Sequence, residues 1–158
     1  MGENAVIEER GPDVIAPPPL VYAAPLLAGF LLDRVLPLPA LPRAVRAVGP
    51  PLVAAGIALG GWFFTTMRRA GTPVDPREAP TALVASGPFA LTRNPGYISL
   101  ALLYAGTALT AGGRWSLLLL PGVLATVDKG VVKREEEHLE RRFGAEYRAY
   151  RQRVGRWL

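Results

Sequence analysis

Four long apolar runs, nearly free of charge and joined by arginine-bearing connectors, constrain this chain more than any other feature. A soluble domain can match the overall hydrophobic fraction of 50%. It rarely segregates its charges so sharply. The pattern predicts an all-α integral membrane bundle of about four transmembrane helices. The runs cover 20–38, 44–67, 97–111 and 115–132. Residues 1–19, polar and then proline-rich, read as an N-terminal tail, and 20–158 as a single membrane domain.

Details within the runs sharpen this reading. Asp33 and Arg34 sit near the end of the first; Arg34 is placed to reach the interface, and Asp33 must face a neighbouring helix or water. Pro50 and Pro51 break or kink the second, so its cleanest span is 51–66, with Pro51 near its first turn. Gly56, Gly60 and Gly61 form a small-residue face there, with Gly56 and Gly60 in GxxxG spacing. Gly112 and Gly113 join the third and fourth runs as an antiparallel hairpin. Residues 133–157 are charged, with Leu139, Phe143, Tyr147, Tyr150 and Val154 at helical spacing. They read as a cytoplasmic C-terminal amphipathic helix, with a possible break at Gly144, whose basic residues suit anionic membrane lipids.

The basic residues orient the bundle. One side holds Arg10, Arg68, Arg69, Arg77, Arg93 and the C-terminal cluster; the other holds only Arg34, Arg43, Arg46 and Arg114. Both termini and the long connector 70–94 are therefore expected in the cytoplasm. The chain has no cysteine and one histidine, His138. Thiolate and multi-histidine metal sites are excluded, and no metal is expected. His138 itself reads as a surface residue. The net charge of +5 is explained by the membrane bias, with no motif for nucleic acid and no obligate protein partner evident. Abundant Ala, Gly, Pro and Arg point to a bacterial inner membrane.

Polar, glycine- and proline-rich residues 87–97 lie between two apolar segments, which marks them as a candidate site. Pro95 disfavours helix at Asn94, so the third helix starts after it and presents free backbone N–H groups. Glu135, Glu136 and Glu137 follow the fourth run on the same side. Carboxylates there can accept hydrogen bonds from ribose hydroxyls or an amino group, and Tyr97 and Phe89 can face a cationic centre.

Four stretches then carry a resemblance: 83–89 (Leu-Val-Ala-Ser-Gly-Pro-Phe), 93–97 (Arg-Asn-Pro-Gly-Tyr), 135–139 (Glu-Glu-Glu-His-Leu) and 143–150 (Phe-Gly-Ala-Glu-Tyr-Arg-Ala-Tyr). In order and spacing they resemble the isoprenylcysteine carboxyl methyltransferase and phospholipid methyltransferase superfamily, over 81–158. The resemblance implies S-adenosyl-L-methionine as cofactor and a lipophilic small molecule or lipid as acceptor, an isoprenoid carboxylate or thiol included. It implies cofactor binding by Thr81, Leu83, Val84, Phe89, Asn94, Pro95, Gly96, Tyr97, Glu135 and Glu136, with Arg93 and Glu135 as the catalytic pair. Phe89 replaces the family's tyrosine, and Asn94 its histidine; an asparagine cannot serve as a general base near neutral pH. Val131 stands where the carboxyl methyltransferases have a substrate-facing arginine, which leaves the substrate role to Lys129 and Arg134, or to Lys133. The competing readings are an NADPH-dependent membrane reductase of the sterol-reductase kind and a non-catalytic membrane scaffold.

Overall fold

In the computed structural model, residues 16–75 and 77–158 are described. Of the tail expected over 1–19, only 16–19 fall among them. The described residues are all-helical, without strands. In chain order they form α1 (Pro18–Val35), the single turn α2 (Arg43–Arg46), α3 (Gly49–Arg69), a 3₁₀ turn (Gly87–Ala90), α4 (Pro95–Ala111), α5 (Arg114–Val127), a π-helical turn (Asp128–Val132) and α6 (Lys133–Arg153).

Proline and glycine set most of the boundaries. Pro50 and Pro51 do not break the second helix. They lie in its first turn, where their missing N–H groups are not needed, so α3 begins earlier than expected and runs on to Arg69. Pro95 opens α4 in the same way. Gly112, at φ 74°, closes α4 in the left-handed conformation, and α5 starts two residues later.

The helices meet through small residues and buried polar side chains. A Cβ on Gly106 of α4 would lie 2.7 Å from the Val53 nitrogen and 2.8 Å from the Gly49 oxygen of α3. Gly56 and Gly60 face Leu103 and Ser99 across the same seam, whereas Gly61 meets nothing within 4 Å and is not part of it. The Ser99 hydroxyl donates to the Gly56 carbonyl at 2.8 Å, and the Ser116 hydroxyl of α5 to Leu26 of α1 at 2.9 Å. Tyr104 donates to the Ser116 carbonyl at 2.8 Å. Such bonds hold helices together where the surroundings give no hydrophobic drive for association. Tyr22, Tyr97, Tyr104, Val123, Val127, Val131 and Val132 form the core they enclose.

The outer faces are apolar. Leu27, Ile57 and Leu118 are 62%, 63% and 61% exposed. Residues 43–69 and 114–153 each form a helical stretch long and apolar enough to cross a membrane, and only 11% of the most apolar part of the first is buried inside the protein. A helix of a soluble core would be mostly covered. Asp33 faces a neighbouring helix: its Oδ1 accepts from Arg114 Nε at 3.0 Å at the start of α5. Trp115 Nε1 donates to the Leu36 carbonyl at 2.7 Å, tying the same ends together.

The last two expected segments are one continuous helical stretch. The chain passes from α5 into α6 through the π-helical turn, with no break at Val132. The bend comes at Gly144, at φ 51° and ψ −117°. Helix then ends at Arg153, and residues 154–158 are not helical.

Because two of the three nearest atoms facing Gly106 are backbone, a larger residue there forces α3 and α4 apart. Gly106→Leu is expected to destabilise the detergent-purified protein by about 1–3 kcal/mol, read as a lowered melting temperature, with Gly61→Leu unchanged.

Candidate functional site

The 3₁₀ turn and the start of α4 bring the 87–97 segment under the connector. Gly87 takes a φ of +62°, which a side chain would strain. Thr92 Oγ1 accepts from the Asn94 N–H at 3.2 Å and itself donates to the Arg156 carbonyl at 2.9 Å. The Arg93 N–H donates to the Gly155 carbonyl at 2.9 Å, and Asn94 Nδ2 to the Arg156 carbonyl at 3.0 Å. The carbonyls of Gly155 and Arg156, just beyond α6, thus serve as acceptors for the turn. Sequence reasoning assigned Asn94 a ligand role; in the structure its amide nitrogen is engaged with Arg156.

The glutamate run diverges, because adjacent positions on a helix point about 100° apart. Glu136 turns inward and accepts from Arg93 NH1 at 2.7 Å and from Arg156 NH2 at 2.6 Å. Arg93 and Glu136 are about 10% exposed, so this is a buried pair. Arg93 NH1 also donates to the Tyr147 hydroxyl at 3.2 Å, and Arg156 reaches Asp128 at 3.3 Å. Glu137 turns outward, 4.0 Å from Lys133. Glu135 takes the third direction and hydrogen-bonds Tyr97.

A cavity of about 540 Å³ lies between these groups and the connector. Leu83, Val84, Phe89, Arg93, Asn94, Pro95, Gly96, Tyr97, Glu135 and Glu136 all line it. Residues from two motifs roughly forty positions apart therefore share one wall. Phe63 of α3 completes the apolar side, its ring 5.7 Å from that of Phe89. A Cβ on Gly96 would lie 3.2 Å from the Phe63 ring, so glycine there lets the ring approach. Tyr150 holds the Phe89 carbonyl at 2.7 Å. Thr81 is not in the wall. It is exposed, and its hydroxyl donates to the Gly71 carbonyl at 3.0 Å. Lys129 and Arg134 are also exposed and outside it.

The electrostatics single out Glu135. It keeps part of its surface open toward the cavity, yet its carboxyl is packed among protein atoms. Burial pushes that carboxyl up to about 7; the Tyr97 hydrogen bond opposes the rise, and nearby Glu136 adds to it. A buried acid near neutrality, with an aromatic hydroxyl on it and a cavity before it, marks a candidate site. His138 is not the surface residue expected from the sequence. It is 8% exposed, lines the cavity one turn beyond Glu135, and its Nε2 has no hydrogen-bond partner. Burial, with Arg141 and Arg142 nearby, holds its imidazole below the usual value. Arg93 Nε also lacks a partner. Arg156 and His138 were missed because a lone arginine near a terminus and a lone histidine carry no pattern.

Known proteins bear on this site. Residues 44–146, well over half of the 158, match the phospholipid methyltransferase family. A protein of Haemophilus influenzae described as uncharacterized is 37% identical over 62 residues, which cover 39% of this chain and 98% of that protein. No solved structure matches the chain. The matched residues span α3, the connector and both sides of the cavity, and this chain belongs to the phospholipid methyltransferase family.

Proposed function

We propose that the chain is an integral membrane methyltransferase that binds S-adenosyl-L-methionine in the cavity between the connector and α6 and transfers its methyl group to a lipophilic small molecule or lipid. The observation that carries this reading is the shared wall: Phe89, Asn94–Tyr97 and Glu135 line one cavity. Its volume lies within the roughly 300–1,000 Å³ of small-molecule sites. The family match supports methyl transfer as the chemistry.

The residues present fit this cofactor. A carboxyl raised by burial is stabilised by a cation, and Glu135 stands where a cationic or hydroxyl-bearing group would satisfy it. Phe89 and Tyr97 offer aromatic surface to a cationic centre. The free Nε of Arg93 can donate to a carboxylate. When bound, adenosylmethionine supplies an already activated methyl group, so the protein's task is alignment and exclusion of water. Phe63, Leu83 and Val84 supply the dry side. In this reading α1, α3, α4 and α5 span the membrane, and the cavity and termini face the cytoplasm of a bacterial inner membrane. The arginine distribution supports that orientation.

Calorimetric titration of the detergent-purified protein with adenosylmethionine tests the proposal. Binding is expected, weakened about tenfold or more by Glu135→Ala and by Tyr97→Ala, and unaffected by Glu137→Ala. Absence of binding in folded protein overturns it, and NADPH becomes the next ligand to titrate.

The raised Glu135 carboxyl gives a pH signature. Below about 7 it is protonated in the empty site, so a cationic ligand must expel a proton. Affinity is expected to rise about tenfold per pH unit toward 7 and to level above it. Glu135→Gln flattens the profile. Stability of the empty protein runs the other way. Between the ordinary value of 4.5 and about 7 the folded state keeps a proton that the unfolded chain releases. That contribution is complete below 4.5 and is lost as pH rises through 7.

A further inference from the structure

His138 is the one histidine of the chain, and the site described above leaves it without a task. It projects from α6 on the face that carries Glu135, three residues earlier. It lines the cavity, is 8% exposed, and among the described residues its Nε2 meets neither a hydrogen-bond partner nor solvent. A buried polar atom left unpaired costs about 1–3 kcal/mol, and a ligand that brings it a donor removes that cost. With the ring proton on Nδ1, Nε2 presents a lone pair. The histidine of the resembled Arg-His-Pro pattern is Asn94 here, and Asn94 Nδ2 is bound to the Arg156 carbonyl. Val131, at the position of the substrate-facing arginine, is fully buried in the apolar core. No cation stands there for a carboxylate acceptor.

We propose that His138 is the catalytic proton acceptor of the transfer, and that the acceptor molecule therefore carries a proton on its attacking atom, as a thiol or an amine does and a carboxylate does not. The inference rests on the methyltransferase reading. The attacking atom's lone pair forms the bond to the methyl carbon while the carbon–sulfur bond breaks, its electron pair remaining on sulfur. The proton of the attacking atom passes to Nε2. The charge balance suits the cavity. Glu135 and His138 both line the cavity, so the cofactor would bring one positive charge into it before transfer and the imidazolium would carry one there afterwards. Among the described residues, the other charged groups around the cavity are Asp75, Arg77 and Glu78 of the connector and the Arg93–Glu136 pair, with Arg141 and Arg142 near the imidazole on α6.

A single histidine makes the test direct. The full chain, labelled with [¹⁵N]histidine and held in detergent with S-adenosylhomocysteine, gives one pair of ring-nitrogen resonances. Titration with a long-chain alkanethiol or alkylamine is expected to move the Nε2 resonance as a donor reaches it, and the matching alkyl carboxylate to leave it in place. In turnover with adenosylmethionine, the thiol or amine is expected to be methylated and the carboxylate not. His138→Gln should lower kcat by about 10²–10⁴-fold, with adenosylmethionine affinity unchanged by calorimetry. Adenosylmethionine binding together with an unmoved Nε2 resonance, an undiminished kcat in His138→Gln, or carboxylate methylation overturns the inference alone. Lack of adenosylmethionine binding overturns the methyltransferase reading and the inference with it.

Discussion

Glu136 accepts two guanidinium groups, from Arg93 and Arg156, in a place largely closed to water, and the site is arranged around that ion pair. Desolvating Arg93 and Glu136 is costly, and the geometry offsets it only because nearly every group has further partners. Arg93 reaches Tyr147, Arg156 reaches Asp128, and the backbone of the C-terminal segment accepts from Thr92, Arg93 and Asn94. Three distant parts of the chain are thereby fixed to one another: the turn before α4, the start of α6 and the last residues. Removing one partner from such a pair would leave a buried charge, typically at about 3–5 kcal/mol.

With that frame in place, the neighbouring glutamate is free for another use. Glu135 and Glu136 differ by one helical position, and their environments separate them. One accepts from two arginines, while burial raises the other toward neutrality, with the Tyr97 hydroxyl on it. Equivalent side chains thus take a supporting and a cavity-lining place through direction alone. Tyr97 belongs to both layers of the structure. Its carbonyl accepts from Tyr22 of α1 at 3.2 Å, and its hydroxyl meets Glu135, so the bundle and the cavity share a residue.

Much of this was legible in the sequence. Long uncharged runs can satisfy their backbone only as helices, so the apolar helices and their approximate ends followed from hydropathy, proline and glycine. The two motif clusters were legible as well, since polar, conformationally restricted residues between apolar runs have few structural reasons to be there. What was not legible depended on three-dimensional closure. Pro51 was legible in the first turn of the second helix, but the inclusion of Gly49 and Pro50 was not, because a missing N–H is tolerated anywhere in that turn. Arg156 was hidden because its partners lie 20 to 28 positions away, beyond helical spacing. His138 was misread because its neighbours suggest a solvated face, and the helix turns it toward the cavity. Thr81 matched by position in the sequence but spends its hydroxyl on its own loop.

The π-helical turn at Asp128–Val132 has a consequence for how such a protein can be built. The stretch before it is patterned for apolar surroundings, and the stretch after it for water and the cavity. An uninterrupted α-helix would couple the two patterns rigidly, since every side chain beyond a given point inherits its azimuth from those before it. One residue of surplus in a wide turn rotates everything that follows by about 100°. The turn sets the rotational phase of α6 independently of α5. Glu135, Glu136 and His138 are thereby aimed without disturbing which face of α5 meets the other helices.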